Sequence, residues 1–134
     1  MLTPAVDTVR LFLHVLAAAV WVGGQVTLAG LVPSARALGP AAPKALANAF
    51  ARLSWPAFAV LVATGVWNIA AMHPHHRGTA WQAVLGVKVA VVVLSGVSAL
   101  LHSRATSRAG LAVWGSVTGV TAVAALLLGV LLTG

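Results

Sequence analysis

Acidic side chains are almost missing from this chain: there is no Glu, and Asp7 is the one Asp in 134 residues. That excludes a carboxylate dyad. With no nucleophile–base pair and no phosphate loop either, hydrolytic chemistry is not expected. Cysteine is absent as well, so there is neither a disulfide framework nor a thiolate metal site, and a soft metal would need His or Met. Methionine is scarce too, with Met1 and Met72 the whole supply, which limits any relay of Cu(I) sites. Charge of either sign is thin, 7% of residues against roughly 25% in a soluble domain. What fills the chain is apolar: 60% of it is hydrophobic, the composition of a membrane protein.

The net charge of +7 does not imply nucleic acid, because the eight Lys and Arg are scattered among apolar runs and form no basic face. Their role is topological, and no nucleic-acid partner is expected. Four apolar runs, about residues 10–32, 54–72, 79–102 and 109–132, each meet the roughly 20-residue requirement for a span. The reading is an all-α, polytopic four-transmembrane-helix bundle forming one domain over 1–134, with the lipid bilayer as its solvent. Thr3-Pro4 suits a helix N-cap followed by Pro at the first helical position, and Pro33 is expected to stop helix 1. The first run continues past Gly24 to Val32 with only Arg10 before it, so it reads as a retained helix and not a signal peptide. Residues 33–44 read as a loop. Residues 45–52, with Leu46, Ala49, Phe50 and Leu53 on one face, read as an interfacial lead-in. Pro56 falls near the start of the second span, where it is tolerated. Arg36, Lys44, Arg52, Arg104 and Arg108 fall on one side and Arg10 and Arg77 on the other. By the positive-inside rule, both termini and the loop of residues 73–78 then face the outer, periplasmic or extracellular side.

Candidate chemistry begins at His14, the one ionisable residue inside the run from Leu11 to Gln25. An intramembrane His is costly and by default marks a site. At about 100° per residue His14, Trp21 and Gln25 form one stripe, and Gly23 and Gly24 beside it admit a helix or a flat ligand. Asn68, with Thr64 one turn before it, and Lys88 are expected in the same outer layer as His14. A Lys at that depth lacks a nearby carboxylate, so it either meets an anionic ligand or snorkels. Trp81, Lys88, Ser95 and His102 are spaced seven apart along helix 3, a near-straight stripe, with His102 at the inner interface. His73, His75 and His76, directly after Met72, are a dense supply of imidazole that suits a soft or borderline metal. Helix 4 carries Gly115 and Gly119 in a GxxxG spacing and reads as a packing helix or an oligomer face, through which the chain could join a homo-oligomer or a larger membrane complex.

His14 with Trp21-Val22-Gly23-Gly24, Phe50-Ala-Arg52-Leu-Ser leading into Thr64-Gly65-Val66-Trp67-Asn68, and Leu85-Gly-Val-Lys88 together resemble the CopD family of copper-resistance membrane proteins. The resemblance covers roughly residues 10–104. It implies a multi-pass bacterial inner-membrane protein of copper uptake, transport or resistance, with His14, Met72, His73, His75 and His76 handling copper. The helix 1 His with its Trp-x-Gly and the helix 3 Lys also resemble the HemJ-type protoporphyrinogen oxidases, small four-helix proteins that bind haem b. That likeness implies His14 as an axial ligand, with His73 the nearest candidate for the other axial position. Gly23 and Gly24 would make room for the porphyrin, and Lys88 or Arg10 would pair with a propionate. Copper handling leads, with haem b binding beside it and an accessory subunit as a third alternative. The chain is not expected to be an enzyme; were it one, it would be a haem-dependent membrane oxidoreductase.

Overall fold

The computed structural model describes residues 5–134, and among them the chain is all-helical with no strand. Thr3 and Pro4, the expected first cap, lie outside the described residues. Four helices are long and apolar enough to cross a membrane: α1 (Ala5–Ala37), α2 (Ala42–Met72), α3 (Thr79–Arg104) and α4 (Arg108–Leu131). They divide into two compact units at His73/Pro74, one holding α1 and α2, the other α3 and α4. Most large apolar side chains, Phe12, Val66 and Val120 among them, are exposed. In a membrane that surface faces lipid, and what lies buried between the helices is mostly small or polar, with Trp21 and Val22 the large apolar exceptions.

In the first unit the helices run further than the sequence suggests. Pro33 does not stop α1, which continues to Ala37, and residues 42–52 are not a separate lead-in but the start of α2, with Pro56 inside that helix. The physical reason is the solvent. In hydrocarbon an unpaired backbone group costs several kcal/mol, so keeping the ladder on both sides of a proline is better than unwinding it. The expected loop over 33–44 shrinks to residues 38–41, where Gly39 takes φ +136°, a conformation that favours glycine. A π-helical turn at Ala19–Gly23 interrupts α1 and shifts the phase of the residues beyond it, which a uniform 100° count does not include. Downstream of that turn Gly24 packs under the Phe50 ring, so closely that a Cβ there would collide, while Gln25 stays half-buried. The α2 helix ends on His73, whose φ of 49° is left-handed, and a short 3-10 turn at Pro74–His76 comes next.

In the second unit the seven-residue stripe is the seam of the hairpin. Trp81 Nε1 donates to the Leu132 carbonyl at 3.2 Å, Lys88 lies against Gly129, Ser95 Oγ donates to the Thr118 carbonyl at 3.3 Å, and His102 Nδ1 donates to the Leu111 carbonyl at 2.9 Å. Ser95, Ser98 and Thr118 make a buried polar knot midway, Thr118 Oγ1 lying 3.1 Å from Ser98 Oγ. Ser107 caps α4 by accepting from the Gly110 amide at 3.0 Å, and Gln82 braces the start of α3 by donating to the Pro74 and Arg77 carbonyls.

Candidate functional site

Arg10, His14, Thr64 and Asn68 lie toward the end of the α1/α2 hairpin away from the 38–41 turn. His14 Nδ1 lies 2.9 Å from Thr64 Oγ1, and Thr64 Oγ1 lies 2.7 Å from the Val60 carbonyl. The Thr64 hydroxyl also reaches back to its own helix, so it holds the His14 ring at Nδ1 from a fixed position, as outer-sphere partners orient metal-ligating histidines. On the other side of the ring, His14 Cε1 would lie 3.6 Å from a Cβ placed on Gly65, an ordinary contact. Thr64 is itself 4% exposed.

The helices are antiparallel, so the His14–Thr64 pair sets the register, and one turn towards the open end Arg10 on α1 comes level with Asn68 on α2. Arg10 is 8% exposed, the most buried cation among the described residues. Its Nη2 is 3.1 Å from Asp7 Oδ1, the one acid it has, and the Asp7 side chain is nearly half exposed. The Nε and Nη1 nitrogens of Arg10 are buried without a hydrogen-bond partner, and so is Asn68 Oδ1. Two unsatisfied groups from two helices in one layer make a polar site in a segment where such groups are expensive.

Below His14 the hairpin is aromatic. Trp21 is 2% exposed, its ring centroid 4.4 Å from Phe58 and 5.7 Å from Trp55. The π-helical turn carries Trp21 into this cluster, where it packs inside the hairpin. Gly23 faces open space, and Gly24 accommodates Phe50. A groove of about 420 Å³ between Val20, Leu28, Leu46 and Phe50 is apolar and lies in the other half of the hairpin from His14.

No protein family model, no curated protein and no solved structure matches this chain. The site therefore rests on its own geometry. Of the residues singled out in the sequence, His14 and Asn68 are brought within one turn of each other. Lys88 belongs to the second unit, where its Nζ lies over Gly129, 3.0 Å from where a Cβ would be. The loop histidines are exposed, His73 as the cap of α2 and His75 and His76 on the 3-10 turn. Among the described residues no three His, Cys, Asp or Glu side chains form a metal-binding group. His73 also stands nine residues along α2 from Thr64, about 13 Å at 1.5 Å per residue, far from the level of His14. Met72, half-buried, is the last residue of α2. His102 donates to a backbone carbonyl with its ring against Gly115, a helix-pairing role.

Sequence reasoning marks Thr64 only as a neighbour of Asn68, and Arg10 as a topological charge and one of two possible partners for a propionate. The signal for both is present. Arg10 is i−4 to His14 and Asn68 is i+4 to Thr64, so two adjacent turns on each helix carry polar residues on one face.

Proposed function

We propose that this chain is a multi-pass membrane protein that binds haem b in the α1/α2 hairpin through His14, and that it acts as a small membrane redox protein. The observation that carries this reading is His14 itself, an imidazole inside a membrane-spanning hairpin whose Nδ1 is held by Thr64. An imidazole oriented through one ring nitrogen by a partner on the facing helix is the arrangement that ligating histidines adopt. The buried Arg10 supports haem over a bare metal ion: a guanidinium one turn away opposes a second cation and suits a cofactor that carries carboxylates. When bound, haem would supply one-electron chemistry. His14 would hold the iron, Thr64 would keep the ring oriented, Arg10 and Asn68 would meet the cofactor's polar groups, and the Trp21, Trp55 and Phe58 rings would keep water from the hairpin below.

Copper handling, with His14, Met72 and the His73–His76 loop as ligands, is the weaker reading, because Thr64 stands nine residues along α2 from His73, which sets His14 about 13 Å from the loop. In either reading we place the protein in a bacterial inner membrane with both termini and the loop of residues 73–78 outside. The support is the distribution of Arg36, Lys44, Arg52, Arg104 and Arg108, all exposed, around the two turns at 38–41 and 105–107.

The test is an absorption spectrum of the detergent-purified protein before and after dithionite, with iron and copper quantified in the same sample. A Soret band, sharpened reduced bands and stoichiometric iron that His14→Ala removes support the haem reading. A colourless sample that holds copper supports copper handling. A sample with neither metal sinks both.

A further inference from the structure

We propose that Arg10 and Asn68 form a carboxylate-binding site at the open end of the α1/α2 hairpin, and that this site seats an acidic side arm of the cofactor held by His14. The inference rests on the haem reading and adds a residue-level anchor to it. Three observations meet here. The Arg10 side chain is nine-tenths buried, yet Asp7 satisfies only Nη2, leaving the N–H groups of Nε and Nη1 without acceptors. Asn68 Oδ1, on the facing helix at the same level, is a buried acceptor without a donor. The His14–Thr64 bond sets that level and puts His14 one turn, roughly 6 Å, further in.

The mismatch defines the ligand. Nε and Nη1 together carry three N–H groups, against one orphaned acceptor, so the missing partner is rich in acceptors. A carboxylate meets a guanidinium with short, charge-assisted bonds about twice as strong as neutral ones. No other side chain can supply that group, because Asp7 is the one acid and is already engaged. An external anion must therefore come from the membrane side or from a bound molecule. A molecule that also ligates His14 spans the one-turn gap and reaches both points, whereas a lipid headgroup reaches only the first.

The experiment uses the full-length protein in detergent and the metal-free porphyrin, protoporphyrin IX, beside its dimethyl ester. Without iron there is nothing for His14 to ligate, so the carboxylate site is read alone. Binding is followed by porphyrin fluorescence anisotropy at one micelle concentration, with helicity and elution volume checked for each variant. The parent protein should prefer the diacid over the ester by about tenfold or more, the scale of one charge-assisted contact. Arg10→Gln should bring the two within about twofold, Arg10→Lys should keep part of the preference, and His14→Ala should keep all of it. Asn68→Asp, which leaves Arg10 in place but sets an anion against it, should weaken the diacid and leave the ester unchanged. That variant decides the matter if Arg10→Gln fails to fold.

No preference in the parent protein, or a preference that survives both Arg10→Gln and Asn68→Asp, overturns the carboxylate site. Displacement of the diacid by equimolar phosphatidylglycerol, with loss of the preference, also overturns it and assigns Arg10 to lipid phosphate. The two proposals fail separately. Haem retained through His14 without any diacid preference removes this site alone. A diacid preference in a protein that never holds iron removes the haem reading and leaves the carboxylate site standing.

Discussion

Replacing Thr64 by Val separates the two roles its hydroxyl can have. The side chain keeps its shape and loses the hydroxyl that lies 2.9 Å from His14 Nδ1 and 2.7 Å from the Val60 carbonyl. The Val60 carbonyl keeps its helical bond, so the loss falls on one interhelical contact. In lipid such contacts average about 0.6 kcal/mol and reach about 1.7 kcal/mol at most. Thr64→Val should therefore cost about 1 kcal/mol of stability, read by unfolding in mixed detergent micelles. Cofactor binding should suffer more. Loss of the partner that orients a ligating His typically weakens binding about 10–100-fold, equivalent to roughly 1.4–2.7 kcal/mol. A haem titration of the apo protein, monitored at the Soret band, reads this directly, and Thr64→Ser should restore most of it by keeping the hydroxyl. If Thr64→Val lowers stability as stated yet binds haem within twofold of the parent, Thr64 has no part in orienting His14 for ligation and the His14–Thr64 bond serves packing alone.

Four further outcomes rest on individual contacts. Gly24→Ala drives a Cβ into the Phe50 ring and should destabilise by about 1–3 kcal/mol, as overpacking does; adding Phe50→Leu should recover most of it in the same unfolding assay. Gly115→Ala should push the His102 ring, 3.0 Å away at Cε1, off the Leu111 carbonyl, a penalty that shrinks when His102 is already Ala. Gly119→Ala meets no atom within 4 Å and should leave the stability of the hairpin within about 0.5 kcal/mol. Ser107→Ala removes the cap on α4 and should cost about 1 kcal/mol, with Ser107→Asp retaining it; helicity against temperature checks the pair.

The long apolar runs and the seven-residue stripe are legible in the sequence because both are local. Span length is a count, and Trp81, Lys88, Ser95 and His102 lie on one line of a single uninterrupted helix, so the face they mark is the one that meets α4. The first unit is harder for a definite reason. Its α1 face passes through the π-helical turn at Ala19–Gly23, and a phase count that assumes 3.6 residues per turn predicts Gln25 where Gly24 makes the contact. Pro33 misleads for a different reason: helix-stop rules come from water, where an opened ladder finds partners, and in lipid the helix persists. The GxxxG pair on α4 is half legible. Gly115 is taken up inside the hairpin by His102, which leaves Gly119 as the open position, and no spacing rule divides the two.

The distribution of charge explains why the polar site sits where it does. Arg36, Lys44, Arg52, Arg77, Arg104 and Arg108 are all exposed, free to reach water or headgroups, and Arg77 adds a stacking contact 5.3 Å over Trp81. Only Arg10 and Lys88 among the eight basic residues fall short of that. Lys88 has a flexible stem and lies across Gly129, near the carboxyl end of α4, where the partial negative charge of the helix terminus favours a cation. Arg10 has no such route. Its head is buried between helices, its one acid is bound on a single edge, and its remaining donors meet no acceptor. Apolar packing would seat a Leu at that position at lower cost, so a guanidinium held there is best accounted for by what it binds.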